Sequence, residues 1–278
     1  MNKRIWLITG ISSGLGKALA ETVIKSGDYV VGTFRKPSQV TDFNNTYGSN
    51  ARGILLDVTD YEGITTSVND IIEELGHIDI LVNNAGIGFI GAVEEAAMDE
   101  IRHVMETNFF STLAMVQAVL PHMREKKRGN IIQISSHAGI FSLQGFGVYN
   151  ASKYALEGYS EALAKELSPL GIEVTIVEPG PFRTSFAGSS LIEADRVLAD
   201  YKETAGVFRA NLKAKHNTQE GHPGKAAKVI IEHINDGNPT LRLPLGSIPI
   251  KTIGMKIQSL TDDLEANKVK AASAVYND

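Results

Sequence analysis

The sequence predicts a doubly wound α/β fold: a parallel sheet of about seven strands with helices on both faces. Three observations predict it. Short runs rich in Ile, Val and Leu alternate with longer amphipathic runs through the first two-thirds of the chain. Strands covered on both faces read as near-continuous apolar runs, and strand-helix alternation builds right-handed crossovers. The first run, Ile5-Trp-Leu-Ile8-Thr9, passes directly into a turn dense in glycine. Finally, no Pro/Gly-rich linker, internal repeat or low-complexity tract divides the 278 residues, so residues 1–278 read as a single domain.

The elements follow in order. Strands are predicted over 5–9, 29–34, 53–56, 78–83, 130–135 and 173–178, each short and rich in Ile, Val and Leu. Helices are predicted over 15–26, 61–75, 98–124, 148–167 and 225–236, each a longer stretch with apolar residues at helical spacing. Two regions break this rhythm. Residues 182–222 are long, mixed and poorly periodic, which reads as a lid or as an inserted pair of surface helices. Residues 250–278 carry Ile253, Ile257, Leu260 and Leu264 at helical spacing, the mark of a terminal helix packed on the domain or of a partner-binding tail.

Composition excludes several classes of function. An apolar fraction of 43% and a charged fraction of 21% are ordinary for a globular protein. The net charge is −5 with no long basic block, which disfavours a nucleic-acid partner. The absence of cysteine removes disulfides, thiolate catalysis and zinc-thiolate sites, and suits a reducing, cytoplasmic location. No apolar run approaches the roughly 18 residues of a membrane span, and Ile5-Trp-Leu-Ile8 is too short for a signal-peptide core.

The glycine turn reads Thr9-Gly10-Ile-Ser12-Ser13-Gly14-Leu15-Gly16. Glycines there permit a tight turn and close approach of a pyrophosphate, and the following helix offers free N–H groups to phosphate. A Walker loop is excluded, because five residues separate Gly10 from Gly16 and Ala18 follows Lys17. Gly10-Ile-Ser12-Ser-Gly14 formally matches a hydrolase nucleophile elbow, but no earlier strand-helix unit precedes it to build an oxyanion hole. The second strand ends Phe34-Arg35-Lys36, with no acid to hold a ribose 2′-hydroxyl. Arg35 and Lys36 read either as receptors for the 2′-phosphate of NADP or as solvated loop cations. Asp57, followed by Val58, reads either as an acceptor for the adenine amine or as a helix cap.

Tyr149 and Lys153 lie four residues apart, on one face of a predicted helix. A neighbouring positive charge favours a phenolate, so the pair predicts a lowered Tyr149 pKa and an acid/base role near neutral pH.

Taken together, Thr9-Gly10-x-x-x-Gly14-x-Gly16, Asn83-Asn84-Ala85-Gly86, Asn108, Ser136, Tyr149-x-x-x-Lys153 and Pro179-Gly180-Pro181-x-x-Thr184 stand in the order and spacing of the classical short-chain dehydrogenase/reductase family. The chain resembles that family across roughly residues 3–245, and 182–222 with Leu241–Gly246 resembles its hydroxysteroid and retinol dehydrogenase-like subgroup. The resemblance implies a Rossmann-type fold and an NAD(P)-dependent oxidoreductase. It implies that Tyr149 is the acid/base, that Lys153 lowers its pKa and bonds the nicotinamide ribose, and that Ser136 bonds the substrate oxygen. It implies that Asn108 holds a water in a proton relay, that Asn84, Ala85 and Gly86 close over the adenosine side and steady the central strand, and that Pro179, Gly180 and Thr184 meet the nicotinamide. Ser12 and Ser13 stand where NADP users of the family often carry a base, so the expected NADP preference rests mainly on Arg35.

His137 stands after Ser136 where a small or apolar residue is common, and reads as a substrate contact or as a histidine bonded to backbone. Phe141, Phe146, Phe182 and Phe186 read as an apolar pocket for a ketone or secondary alcohol, or as packing. The helices over 98–124 and 148–167 carry apolar residues on more than one face, which predicts a homodimer or homotetramer. A second reading is a non-catalytic NADP-binding sensor or scaffold, which has no need of Asn108, Ser136, Tyr149 and Lys153 together. No metal site is expected.

Overall fold

The computed structural model describes residues 3–276 apart from 189, 216, 217 and 238. Residues 1, 2, 277 and 278 of the predicted domain, and 189, 216 and 217 of the predicted lid, therefore lie outside the described residues. The first half of the chain reads β1 (Ile5–Ile8), α1 (Gly14–Lys25), β2 (Tyr29–Phe34), α2 (Pro37–Tyr47), β3 (Ala51–Leu55), α3 (Tyr61–Leu75), β4 (Ile80–Asn83), β5 (Gly88–Ile90), α4 (Met98–Met105), α5 (Ser111–Lys126) and β6 (Gly129–Ile134). The second half reads α6 (Gly147–Leu167), β7 (Ile172–Pro179), β8 (Leu191–Glu193), α7 (Val207–Ala214), α8 (Pro223–Ile234), β9 (Arg242–Leu245) and α9 (Ser247–Ala272).

The main sheet has seven strands in the order β3-β2-β1-β4-β6-β7-β9, all pairs parallel. Side chains alternate across it. Trp6, Ile8, Val30 and Ile132 face α1 and α8 in one core, whereas Leu7, Val31, Leu81 and Ile131 face α3, α5 and α6 in the other. After building outward from β1 to β3, the chain crosses back to lay β4 on the other side of β1. That reversal leaves a crevice beyond the carboxyl ends of β1 and β4, the place where open α/β sheets bind ligands.

Four features depart from the predicted elements. The segment at 37–47, not predicted as a helix, is α2; it buries no residue fully and packs through Phe43, whose ring lies 5.3 Å from Phe34 and 4.8 Å from Tyr47. The predicted helix 98–124 is a rod with one wide turn, Glu106–Phe110, between α4 and α5. Such π-turns add a residue to the helix and re-aim a side chain. The strand completing the sheet is β9, whose Arg242 binds the carboxylates of Glu157, Glu161 and Glu178.

The fourth departure is the region 182–222, which is more ordered than its poor periodicity suggests. Its β8 pairs in parallel with β5 in a second, two-stranded sheet. Glu95, buried, takes hydrogen bonds from the Ala92 and Leu198 amides at 2.7 and 2.8 Å and an ion pair from Arg209 of α7 at 2.8 Å. Among the described residues no helix is long and apolar enough to cross a membrane.

Candidate active site

The glycine turn is shaped by backbone rules. Gly10 and Gly14 hold φ of 68° and 63°, the left-handed region that favours glycine. A Cβ on Gly16 would stand 2.2 Å from Asn84 Nδ2 and 2.7 Å from the Gly10 carbonyl, so only glycine fits. The turn is pinned on both sides. Thr33 of β2 accepts from the Gly10 amide at 2.9 Å and from the Ile11 amide at 3.2 Å. On the other side, Thr9 Oγ1 accepts from the amides of Asn84 and Ala85 at 2.9 and 3.0 Å and donates to the Val82 carbonyl at 3.3 Å. Asn84 Nδ2 donates to the carbonyls of Thr9 and Gly10 at 2.9 and 3.0 Å, tying the turn to the end of β4.

The cradle suits a pyrophosphate. Ser13 caps α1 without a side-chain hydrogen bond to the helix, and no acid occupies the first turn. The leading N–H groups of a helix have no partner within it, and its dipole favours an anion there. Leu15 is half-buried behind this turn, and Ser12 is exposed. Ser13 Oγ accepts from Ser185 Oγ at 2.7 Å, and Thr184 lies 3.3 Å from where a Gly14 Cβ would be. The start of the 182–222 segment thus rests directly on the cradle.

Arg35 and Lys36 are exposed at the end of β2, just before α2 opens on Pro37. Asp57 Oδ1 accepts from the amide and hydroxyl of Thr59 at 3.0 and 2.8 Å. Burial works to raise the Asp57 carboxyl, but the Thr59 bonds and the charges of Arg35 and His103 hold it below its ordinary value. The cap of α3 is Asp60, not Asp57. Val58 is buried beside it.

Tyr149 and Lys153 both lie buried on α6. Lys153 Nζ donates to the Ile134 carbonyl at 2.9 Å and sits 5.9 Å from the centre of the Tyr149 ring. Asn108, in the middle of the π-turn, accepts from the Ile87 amide at 2.8 Å and donates to the Ile87 carbonyl at 2.9 Å and Ser152 Oγ at 3.0 Å. A Cβ on Gly86 would meet Asn108 Oδ1 at 3.2 Å and Lys153 Nζ at 3.8 Å, so the three residues stand together. Pro179 ends β7 and Gly180 follows it, its amide donating to the Leu245 carbonyl at 3.0 Å.

The Tyr149 pKa moves opposite to expectation. Burial pushes it up to about 12, outweighing the lowering hydrogen bond from Ser136. Burial likewise drives Lys153 down to about 8, with the Glu157 carboxylate acting the other way. Spacing alone misjudged the pair because it carries no information about desolvation, which penalises both charged forms.

The structure brings some of the predicted pocket residues together and separates others. The Tyr149 ring lies 5.2 Å from Phe146 and 5.5 Å from Phe186, and Phe146 lies 4.9 Å from Phe208. Leu143, Leu191 and Leu212 complete this apolar cluster. Phe182 does not join it: its ring covers Gly221 and packs on the core beside α1 and α8. Phe141, half-buried, stays on the turn after β6. His137 turns to α9, with Nδ1 3.2 Å from Thr252 Oγ1, and burial lowers its pKa. Phe208 and Leu191 escaped the sequence reading, since 182–222 showed no period to mark which residues point inward. Glu157 escaped as well, although its place four residues after Lys153 was a usable signal.

Comparison with known proteins shows the family and the fold. A sequence model of the family described as short chain dehydrogenase matches residues 4–194. A 3-ketodihydrosphingosine reductase of Bacteroides thetaiotaomicron is 40% identical over 250 residues, covering 89% of this chain and 90% of its own. The crystal structure of a short-chain dehydrogenase from Streptomyces avermitilis superposes with a TM-score of 0.93 at 37% identity, covering 99% of both chains. A structure of ElxO with NADP bound superposes at a TM-score of 0.72 and 27% identity, covering 87% of this chain and 97% of that one.

Proposed function

Because the chain belongs to the short-chain dehydrogenase/reductase family, whose members are oxidoreductases of alcohol and carbonyl groups, we propose that it interconverts a carbonyl and a secondary alcohol on an apolar small molecule, with NADP(H) as cofactor. The observation that carries the reading is the grouping of Tyr149, Lys153, Ser136 and Asn108 beside the glycine cradle, under an apolar cluster of Phe146, Phe186 and Phe208. A nicotinamide dinucleotide, when bound, supplies or accepts the hydride.

The residues of the chain then have defined tasks. Gly10, Gly14, Leu15 and Gly16 hold the pyrophosphate on the α1 terminus, with Ser12 and Ser13 at its edge. Asp57, Val58, Asn84, Ala85 and Gly86 border the adenosine side, and Pro179, Gly180 and Thr184 the nicotinamide side. Ser136 and Tyr149 aim hydroxyls at the substrate oxygen, stabilising charge as it develops, and Tyr149 delivers the proton. Lys153 has three donors and gives one to Ile134, which leaves two for the cofactor ribose and the proton path. Asn108 anchors the start of β5 and the Ser152 hydroxyl beneath them.

A phenol pushed up to about 12 stays protonated at neutral pH, the form needed to reduce a carbonyl. Lys153, at about 8, loses its charge just above neutrality. Reduction is therefore expected to hold steady up to about pH 7 and to weaken as pH rises through 8. The Bacteroides relative, named as a reductase of a 3-keto compound, supports the same direction. Arg35, with no acid at the end of β2, supports NADP over NAD.

We read residues 1–278 as one domain, with 182–222 as the substrate lid, and place the protein in the cytoplasm on its lack of cysteine. A homodimer or homotetramer is supported by exposed apolar residues such as Phe110, between α4 and α5. Tyr149→Phe tests the catalytic reading. It should lower turnover of ketones at least 100-fold while leaving NADPH binding intact by fluorescence titration; retained turnover would refute the assignment and favour a sensor. Arg35→Asp should weaken NADP binding far more than NAD binding, and an equal loss for both would refute the 2′-phosphate contact.

A further inference from the structure

Helix α9 leaves the body of the protein after two turns. Its start is fixed: Ser247 and Ile248 amides bond Glu220 Oε1 at 3.0 and 3.2 Å, Pro249 packs under Gly180, and Thr252 meets His137. Beyond that, every described residue from Ile257 to Tyr276 is exposed. A lone solvated helix of this length is marginal in water unless an apolar face is covered. This one carries Ile250, Ile253, Ile257, Leu260 and Leu264, spaced by three, four, three and four residues. Four of the five are open, at 66% for Ile250, 60% for Ile257, 54% for Leu260 and 66% for Leu264.

The alternation of three and four is the period of a helix–helix seam. A helix lying in a lipid surface shows a broad apolar face above a basic one. Here Asp262, Asp263 and Glu265 crowd the middle of the exposed stretch, where an anionic surface would repel them.

We propose that α9 pairs with the α9 of a second copy of this chain, antiparallel about a two-fold axis midway between Ile257 and Leu260. That register sets Ile257 opposite the partner's Leu260 and Ile253 opposite the partner's Leu264, twice over by symmetry. It also matches charge. At 100° per residue, Lys256 and Asp263 lie on the same flank of the stripe. Antiparallel helices bring like flanks together, so each Lys256 faces the partner's Asp263. A parallel pair would instead set Lys256 level with the partner's Lys256 and Asp263 level with the partner's Asp263. The proposal does not rest on the catalytic reading; it assigns one interface of a homo-oligomer to a segment outside the Rossmann-type body.

Sedimentation of the full chain tests it. Lys256→Glu, at a half-buried position beside Val93, Leu143 and Tyr154, and Asp263→Lys, at an exposed one, should each weaken self-association at least tenfold, and the double variant should restore it. Unchanged association in the single variants, or no restoration in the double, would overturn the proposal and leave any oligomer to the α4–α6 faces. Ketone reduction by the same variants reports separately on the catalytic reading. Since the chain has no cysteine, Ser273→Cys gives one labelling site for an electron-spin distance measurement. Antiparallel pairing predicts about 40 Å between labels, from the helical rise of about 1.5 Å per residue. A short distance, or a monomer, would overturn it. So would co-sedimentation with phosphatidylserine vesicles that needs Ile257 and Leu260 while the protein in solution stays monomeric.

Discussion

Around Gly10, Gly14 and Gly16 the chain is held by backbone shape and uncharged hydrogen bonds: two left-handed residues, one glycine with no space for a methyl group, and bonds made by the side chains of Thr9, Thr33 and Asn84. Over Tyr149 charge is added to strand and apolar contacts. Segment 182–222 has short elements, fastened by β5–β8 pairing and the Phe186, Leu191 and Phe208 cluster, and by Glu95 with Arg209, with Glu193 shared between Arg209 and Lys213 at 3.9 and 2.7 Å. A cradle built on backbone geometry admits one shape and is indifferent to pH. A segment of short elements fastened in part by a buried ion pair can open as a unit.

The largest expected effect falls on segment 182–222. Arg209→Met leaves the buried Glu95 carboxylate without its cation, a change that costs about 3 kcal/mol or more in comparable sites. Hydrogen exchange should rise over 191–214 and not over 5–34; loosening of both alike would break the comparison. Next is Gly16→Ala, whose added methyl group meets the Gly10 carbonyl and Asn84. It should cost about 1–3 kcal/mol and weaken dinucleotide binding at least tenfold, with exchange over 191–214 unchanged.

The smallest effects come from pH, and they have opposite signs in two buried acids. Burial works to raise Glu95, but the amides of Leu198 and Ala92 and the Arg209 charge outweigh it and hold the carboxyl below its ordinary value. Its stabilisation is therefore present above the unfolded-state pKa near 4.5 and lost as pH falls through the lower folded value. Glu157 goes the other way. Burial pushes it up to about 7, against the Ser135 hydrogen bond and Arg242, with Glu178 adding to the rise. Its stabilisation is full below about 4.5 and lost as pH rises through 7. Relative to the parent, Glu157→Gln should gain melting temperature between pH 5 and 8, and Glu95→Gln should gain it on acidification towards pH 4. Parallel trends would show that the two acids share one environment.

Much of this was legible beforehand because buried parallel strands announce themselves: all six strands predicted by residue range are present, within a few residues of their observed ends. The cradle was legible for a related reason, since glycine spacing encodes backbone shape directly. What stayed hidden depended on distant residues. Helix α2 buries no residue fully, and its core-facing side is three residues, Val40, Phe43 and Tyr47, in an otherwise polar stretch, a weak period to read. The turn that seats Asn108 is one extra residue in an otherwise regular rod, below the reach of hydrophobic spacing. β9 is four residues with Pro244 among them, and its place at the sheet edge depends on Arg242 meeting three glutamates from other elements. The sign of the Tyr149 shift needed to know how deeply α6 is buried, which neither Tyr149 nor Lys153 reveals.

Thr9 repays a last look. Its hydroxyl oxygen takes two amide protons from the β4 side of the crevice and returns its own proton to Val82. β1 and β4 meet where the winding reverses and are joined by their ladder. At its mouth this oxygen and the Asn84 side chain tie the two strand ends together. Valine would match threonine in outline and fill the same space, yet it would strand two amides and loosen this tie. The shape of the crevice mouth therefore depends on the chemistry of this atom as well as on volume, and a substitution that preserves every volume in the core would still change it.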